Sequence, residues 1–120
     1  MVKIKDIPCN EEYLYAKKFE IKDKSLIGIP NYKKVKFVIT NVAVYIKIAN
    51  VLIDISGTRY FLINEISSLK IKTPLLFKYV RYLTISHRYG KVTFRPFTND
   101  CEIIVKILTT INPNIQVLKN

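Results

Sequence analysis

Apolar and polar residues alternate along most of this chain, and the period lengthens only near its end. From Lys34 to Thr40, Val35, Phe37 and Ile39 alternate with Lys34, Lys36 and Val38, and from Val42 to Ile48, Val42, Val44, Ile46 and Ile48 alternate with Ala43, Tyr45 and Lys47. A period of two puts one set on the buried face of a strand and the other toward water. The pattern predicts a hairpin turning at Thr40-Asn41. Leu83 and Ile85, then Val92 and Phe94, repeat the pattern on either side of His87-Arg88-Tyr89-Gly90, where Gly90 supplies the positive φ of a second hairpin turn. After it the period becomes helical. Cys101, Ile104, Leu108 and Ile111 fall on one face, Val105 and Ile107 widen it, and Asn112-Pro113 ends it. Asn99 followed by Glu102 predicts a capping box with the helix starting at Asp100.

The remaining segments are weaker. Tyr13 and Tyr15 favour a strand over Glu12 to Ile21, and Gly28, Pro30 and Asn31 mark a loop over Lys22 to Lys33. Val51 to Ile55 and Thr58 to Ile63 read as short strands between Ala49-Asn50 and Ser56-Gly57 punctuation. Asn64 to Lys72 places Ile66, Leu69 and Ile71 inward. The expectation is α+β: a strongly bent antiparallel sheet or partly open barrel of about seven strands, capped by one C-terminal helix. One domain covers residues 1–120, with 1–10 as an N-terminal arm and 113–120 as a C-terminal tail.

Composition supports a core and restricts the chemistry. At 120 residues with 49% hydrophobic side chains and a mean hydropathy of +0.13, one well-supplied core is expected. No run approaches the roughly 20 apolar residues of a membrane-spanning helix, and Asp6, Glu11, Glu12 and Glu20 interrupt the opening, unlike a secretory leader. A cytoplasmic protein is expected, docking at most on the inner membrane face. Cys9 and Cys101 are too few for a disulfide framework and read as ordinary thiols. His87 is the sole histidine and has no second ligand at metal spacing; Asp54 and Glu65 are isolated carboxylates; no phosphate-cradling glycine motif occurs. Neither a catalytic residue, a metal, a cofactor nor a small-molecule substrate is indicated, and the chain is expected not to be an enzyme.

Charge supplies the functional signal. The net charge is +11, and residues 31–98 carry most of it, with twelve Lys and Arg against Asp54 and Glu65. Such a surface attracts nucleic acid, phospholipid headgroups or an acidic protein. Two clusters are predicted: Lys22, Lys24, Lys33, Lys34 and Lys36, and Arg81, Arg88, Lys91 and Arg95 beside Tyr82 and Tyr89. Tyr45, Tyr82 and Tyr89 are the candidate stacking platforms if the ligand is nucleic acid. Lysines outnumber arginines sixteen to four, whereas base or headgroup readout favours the arginine fork. That balance favours a protein partner, held by apolar side chains such as Ile107 and Phe97 between helix and last strands, with the positive face guiding encounter.

Over residues 11 to 112 the order of elements resembles the pleckstrin-homology superfold in its GRAM or bacterial PH-like form. The resemblance rests on Glu11-Glu12 before strand one and on the Val38-Ile39-Thr40-Asn41 hairpin ahead of Val44-Tyr45-Ile46. It continues through Ile63-Asn64-Glu65-Ile66 leading into Leu69-Lys70-Ile71, and the final hairpin plus helix. The tryptophan usual in the terminal helix of eukaryotic members is absent. The resemblance implies an interaction module. In its phosphoinositide-binding members a late strand-one lysine and a basic-x-basic pair in strand two hold phosphates, and Lys22 with Lys34-Val35-Lys36 occupy comparable places, with lysine where arginine is usual.

Overall fold

The computed structural model describes residues 4, 7–23, 31–48, 59–73, 81–96 and 98–119, and within these the backbone alone at 20–23, 31–34, 48, 59 and 98. The chain divides into two compact units, Met1–Leu62 and Ile63–Asn120. The class is α+β, with four strands in each unit and, among the described residues, one α-helix near the C-terminus.

In the first unit β1 (Tyr13–Asp23), β2 (Asn31–Thr40), β3 (Ala43–Ile48) and β4 (Arg59–Leu62) form an antiparallel sheet in the order β4-β3-β2-β1. The alternation in the sequence decides its faces: Val35, Phe37, Ile39, Val44 and Phe61 are all buried. Phe19 joins them, with its ring 5.8 Å from that of Phe37. Among the described residues, the opposite face is apolar at one end. There Ile4 and Ile7 of the N-terminal arm pack with Val38, Ala43 and Tyr45, flanked by Tyr13 and Ala16. A row of polar pairs follows on the same face.

The β2–β3 turn occupies Asn41 and Val42, one residue later than the pattern predicts, because Thr40 is needed to close it. Its Oγ1 accepts from the amides of Val42 at 3.2 Å and Ala43 at 3.1 Å and donates to Glu11 Oε1 at 2.6 Å. Val42, expected inward, is therefore in the turn and 44% exposed. Both ends of the loop expected over Lys22 to Lys33 are strand instead, since β1 runs to Asp23 and β2 starts at Asn31; residues 24–30 lie outside the described residues. The expected strand Val51 to Ile55 lies outside the described residues.

The second unit opens with a 3₁₀ turn at Ile63–Glu65. β5 (Ile66–Lys72), β6 (Tyr82–His87) and β7 (Gly90–Arg95) then pair antiparallel. Gly90 has a φ of 151°, which side-chain-bearing residues rarely adopt. Helix α1 (Thr98–Ile111) begins two residues earlier than predicted, so Asn99 lies inside its first turn and is not the capping residue. Cys101, Ile104 and Leu108 are completely buried, as are Leu69, Leu83 and Ile85, and these apolar positions make the core of the unit. The C-terminal tail is a correction: Ile115 is buried, and β8 (Gln116–Lys119) pairs parallel with β5, so the sheet runs β7-β6-β5-β8 and is not wholly antiparallel. Buried Asn112 fixes the bend before it, donating from Nδ2 to the Ile63 carbonyl at 3.0 Å and accepting from the Asn114 amide at 3.2 Å. With β8 the described strands number eight, against about seven expected.

Candidate functional site

The register of the first sheet brings three lysines into one line. Lys36 of β2 stands opposite Lys18 on one side and Lys47 on the other. Lys18 is exposed and the other two are half-buried. Neighbouring strands lie about 4.8 Å apart, so three ammonium stems share a row about 10 Å long. Like charges directly opposite are destabilising. Among the described residues no carboxylate pairs with any of the three.

The adjoining row on this face runs Ala16, Val38, Tyr45 and Tyr60, aromatic over β3 and β4. Tyr45 and Tyr60 are cross-strand partners whose rings stack at 5.8 Å and 27°. Tyr45 is 6% exposed and Tyr60 65%. Tyr45 OH donates to the Glu11 carboxylate at 2.8–2.9 Å. Burial, then that hydrogen bond and the Glu11 charge, push its phenol above the ordinary tyrosine range, since each disfavours phenolate. Tyr45 therefore cannot be the stacking platform expected of it. The exposed ring is Tyr60.

Of the first predicted cluster, the structure places Lys36 in the row. Lys22, Lys33 and Lys34 lie on β1 and β2, where their backbones register with Tyr32, Ile21 and Glu20, and Lys24 lies outside the described residues. Lys18 and Lys47 were not predicted. Each looks ordinary in its own strand, and only pairing makes them neighbours.

The second predicted cluster divides. Lys91 and Arg95 are exposed on β7, and Tyr82 is half-buried on β6. Arg81 instead reaches α1, with Nη1 3.4 Å from Glu102 Oε1. Arg88 and Tyr89 form the β6–β7 turn, the guanidinium 5.6 Å from the centroid of a ring that is 75% exposed. Glu65 holds this turn by accepting the Arg88 amide at its backbone carbonyl, at 3.1 Å. His87 is half-buried at the end of β6, and burial lowers its pKa against a smaller opposing effect of the Glu65 charge. Cys101 has its thiol pushed up by burial, with Arg81 pulling the other way, and Cys9 is exposed; both thiols are free. Among the described residues no three His, Cys, Asp or Glu side chains gather to hold a metal, and no helix is long and apolar enough to cross a membrane. Ile107 is half-buried, and Phe97 lies outside the described residues.

No protein-family model matches this chain, and no curated protein matches it. Among solved structures it is similar to the hSac2 domain from human phosphoinositide phosphatase Sac2, with a TM-score of 0.74 at 15% identity, over 95% of this chain and 80% of that one. At that identity the likeness shows a shared fold.

Proposed function

We propose that this chain is a non-enzymatic interaction module with the bent-sheet, helix-capped arrangement of PH-like domains, which binds a protein partner and meets an anionic phospholipid surface. The observation that carries the reading is the Lys18, Lys36 and Lys47 row. A sheet that aligns three lysines across adjacent strands accepts repulsion which an anionic ligand relieves. The structural neighbour comes from a protein named for phosphoinositides, which agrees with a headgroup ligand. Exposed apolar side chains on terminal strands, Leu62 of β4 and Val117 of β8, suit a protein partner that adds a strand. The nucleic-acid reading loses Tyr45 as a platform.

The test is sedimentation with vesicles of phosphatidylcholine alone and with added phosphatidylserine, using wild type and the Lys36→Gln, Lys47→Gln double variant. A cation at a membrane surface contributes about 1 kcal/mol, so the double variant is expected to bind anionic vesicles about thirtyfold more weakly. Unchanged binding rejects the row as the site. Retention on an oligonucleotide column with none on vesicles rejects the lipid reading. A pull-down washed at about 0.5 M salt, where the Debye length is about 4–5 Å, tests the protein partner: one held by apolar contact survives.

A further inference from the structure

The second sheet carries a basic surface of which the sequence clusters held only Lys91 and Arg95, and strand pairing adds Lys70 and Lys72 to it. Its core face holds Leu69, Ile71, Leu83, Ile85 and Phe94, so the alternate positions form the other face. On β5 these are Ser68, Lys70 and Lys72, on β6 Tyr82, Thr84 and Ser86, and on β7 Lys91, Thr93 and Arg95. No position of this face is a carboxylate. The four cations stand in two columns, on β5 and β7, and β6 between them offers only hydroxyl groups. Two strand spacings separate the columns by about 10 Å. At the centre the Thr84 and Thr93 hydroxyls hydrogen-bond to each other at 2.8 Å. At the edge Leu118, in register with Lys70, is 46% exposed.

We propose that this face of β5–β8 is a second membrane-docking surface, lying flat on an anionic bilayer with Lys70, Lys72, Lys91 and Arg95 over the headgroups and Leu118 entering the interface. The proposal rests on the reading that the chain meets an anionic lipid surface, and assigns it a separate contact. Charge complementarity selects an anionic occupant. Its form selects a bilayer. Four cations in two columns make a patch, and laterally mobile headgroups can gather beneath a patch, whereas a phosphodiester strand presents its charges along a line. Single-stranded nucleic acid also needs exposed stacking rings, and the one aromatic of this face, Tyr82, is half-buried. An acidic protein would need an apolar centre to exclude water, and here the centre is a threonine pair. Lysine point charges and a marginal apolar side chain suit a headgroup layer.

The experiment uses the same phosphatidylcholine and phosphatidylserine vesicles with Lys70→Gln, Lys72→Gln and, separately, Leu118→Ser. Circular dichroism and melting are monitored so that loss of fold is not read as loss of binding. Removing two cations is expected to weaken binding to anionic vesicles about thirtyfold. Leu118→Ser is expected to weaken it severalfold even at about 0.3 M salt, where charge is screened. Wild type that binds while the double lysine variant binds equally well overturns this inference and leaves the Lys36 row standing. Wild type that ignores anionic vesicles overturns the wider reading and this inference with it. Double-variant loss on an oligonucleotide with no loss on vesicles also overturns it.

Discussion

Glu11, Thr40 and Tyr45 meet in one hydrogen-bonded group that ties the start of the chain to the β2–β3 turn. The Tyr45 phenol remains protonated where an ordinary tyrosine ionises, at pH 10.0. Above that pH the unfolded chain releases this proton and the folded one does not, so the contribution is complete below pH 10 and falls as pH rises. Melting followed from pH 8 to 11.5 is expected to show a steeper alkaline loss in wild type than in Tyr45→Phe; parallel curves would remove Tyr45 as the cause. A single residue's neighbours decide this behaviour, and they were not legible. Tyr45 could be placed on a strand from its alternation, but its acceptor lies 34 positions upstream. The Lys36 row was half legible for the same reason: Lys36 stood out beside Lys34, while Lys18 and Lys47 acquire meaning only from a register that one strand's sequence does not contain.

Elements with a strong period were the readable ones. Both hairpins and the helix stripe follow from spacing alone, because each buries one full face. Ile104 and Leu108 are 0% exposed, so replacing either by Ala should cost about 2–5 kcal/mol by urea denaturation. An unchanged midpoint in both would remove α1 from the core. β8 was unreadable because Gln116, Val117, Leu118 and Lys119 are all exposed: a strand that buries nothing leaves no alternation to find. The arm was expected, but its packing was not legible, because Ile4 and Ile7 bury side chains without a repeating period. Asn99 misled because a capping pattern followed by an apolar stripe still permits a helix starting at Thr98.

At the scale of the whole molecule, the net charge of +11 is arranged in strand register as well as in amount. Two faces carry cations in ordered positions, one on each unit; Lys36, Lys91 and Arg95 stood out in the sequence, and strand pairing adds Lys18 and Lys47 to one face and Lys70 and Lys72 to the other. The Lys18, Lys36 and Lys47 row also makes the folded state electrically dearer than the unfolded one, in which the three charges drift apart. Added ions should therefore favour folding. Like pairs on facing strands cost about 0.2–1 kcal/mol each, and screening them between about 0.02 and 0.2 M sodium chloride should raise the melting temperature by a few degrees. Lys36→Gln removes the middle charge and should flatten that rise. A melting temperature that falls with salt would mean that attractive ion pairs outweigh the row. The repulsion within this row makes any bound polyanion a stabiliser of the fold, so binding can be followed as a gain in thermal stability before the ligand is known.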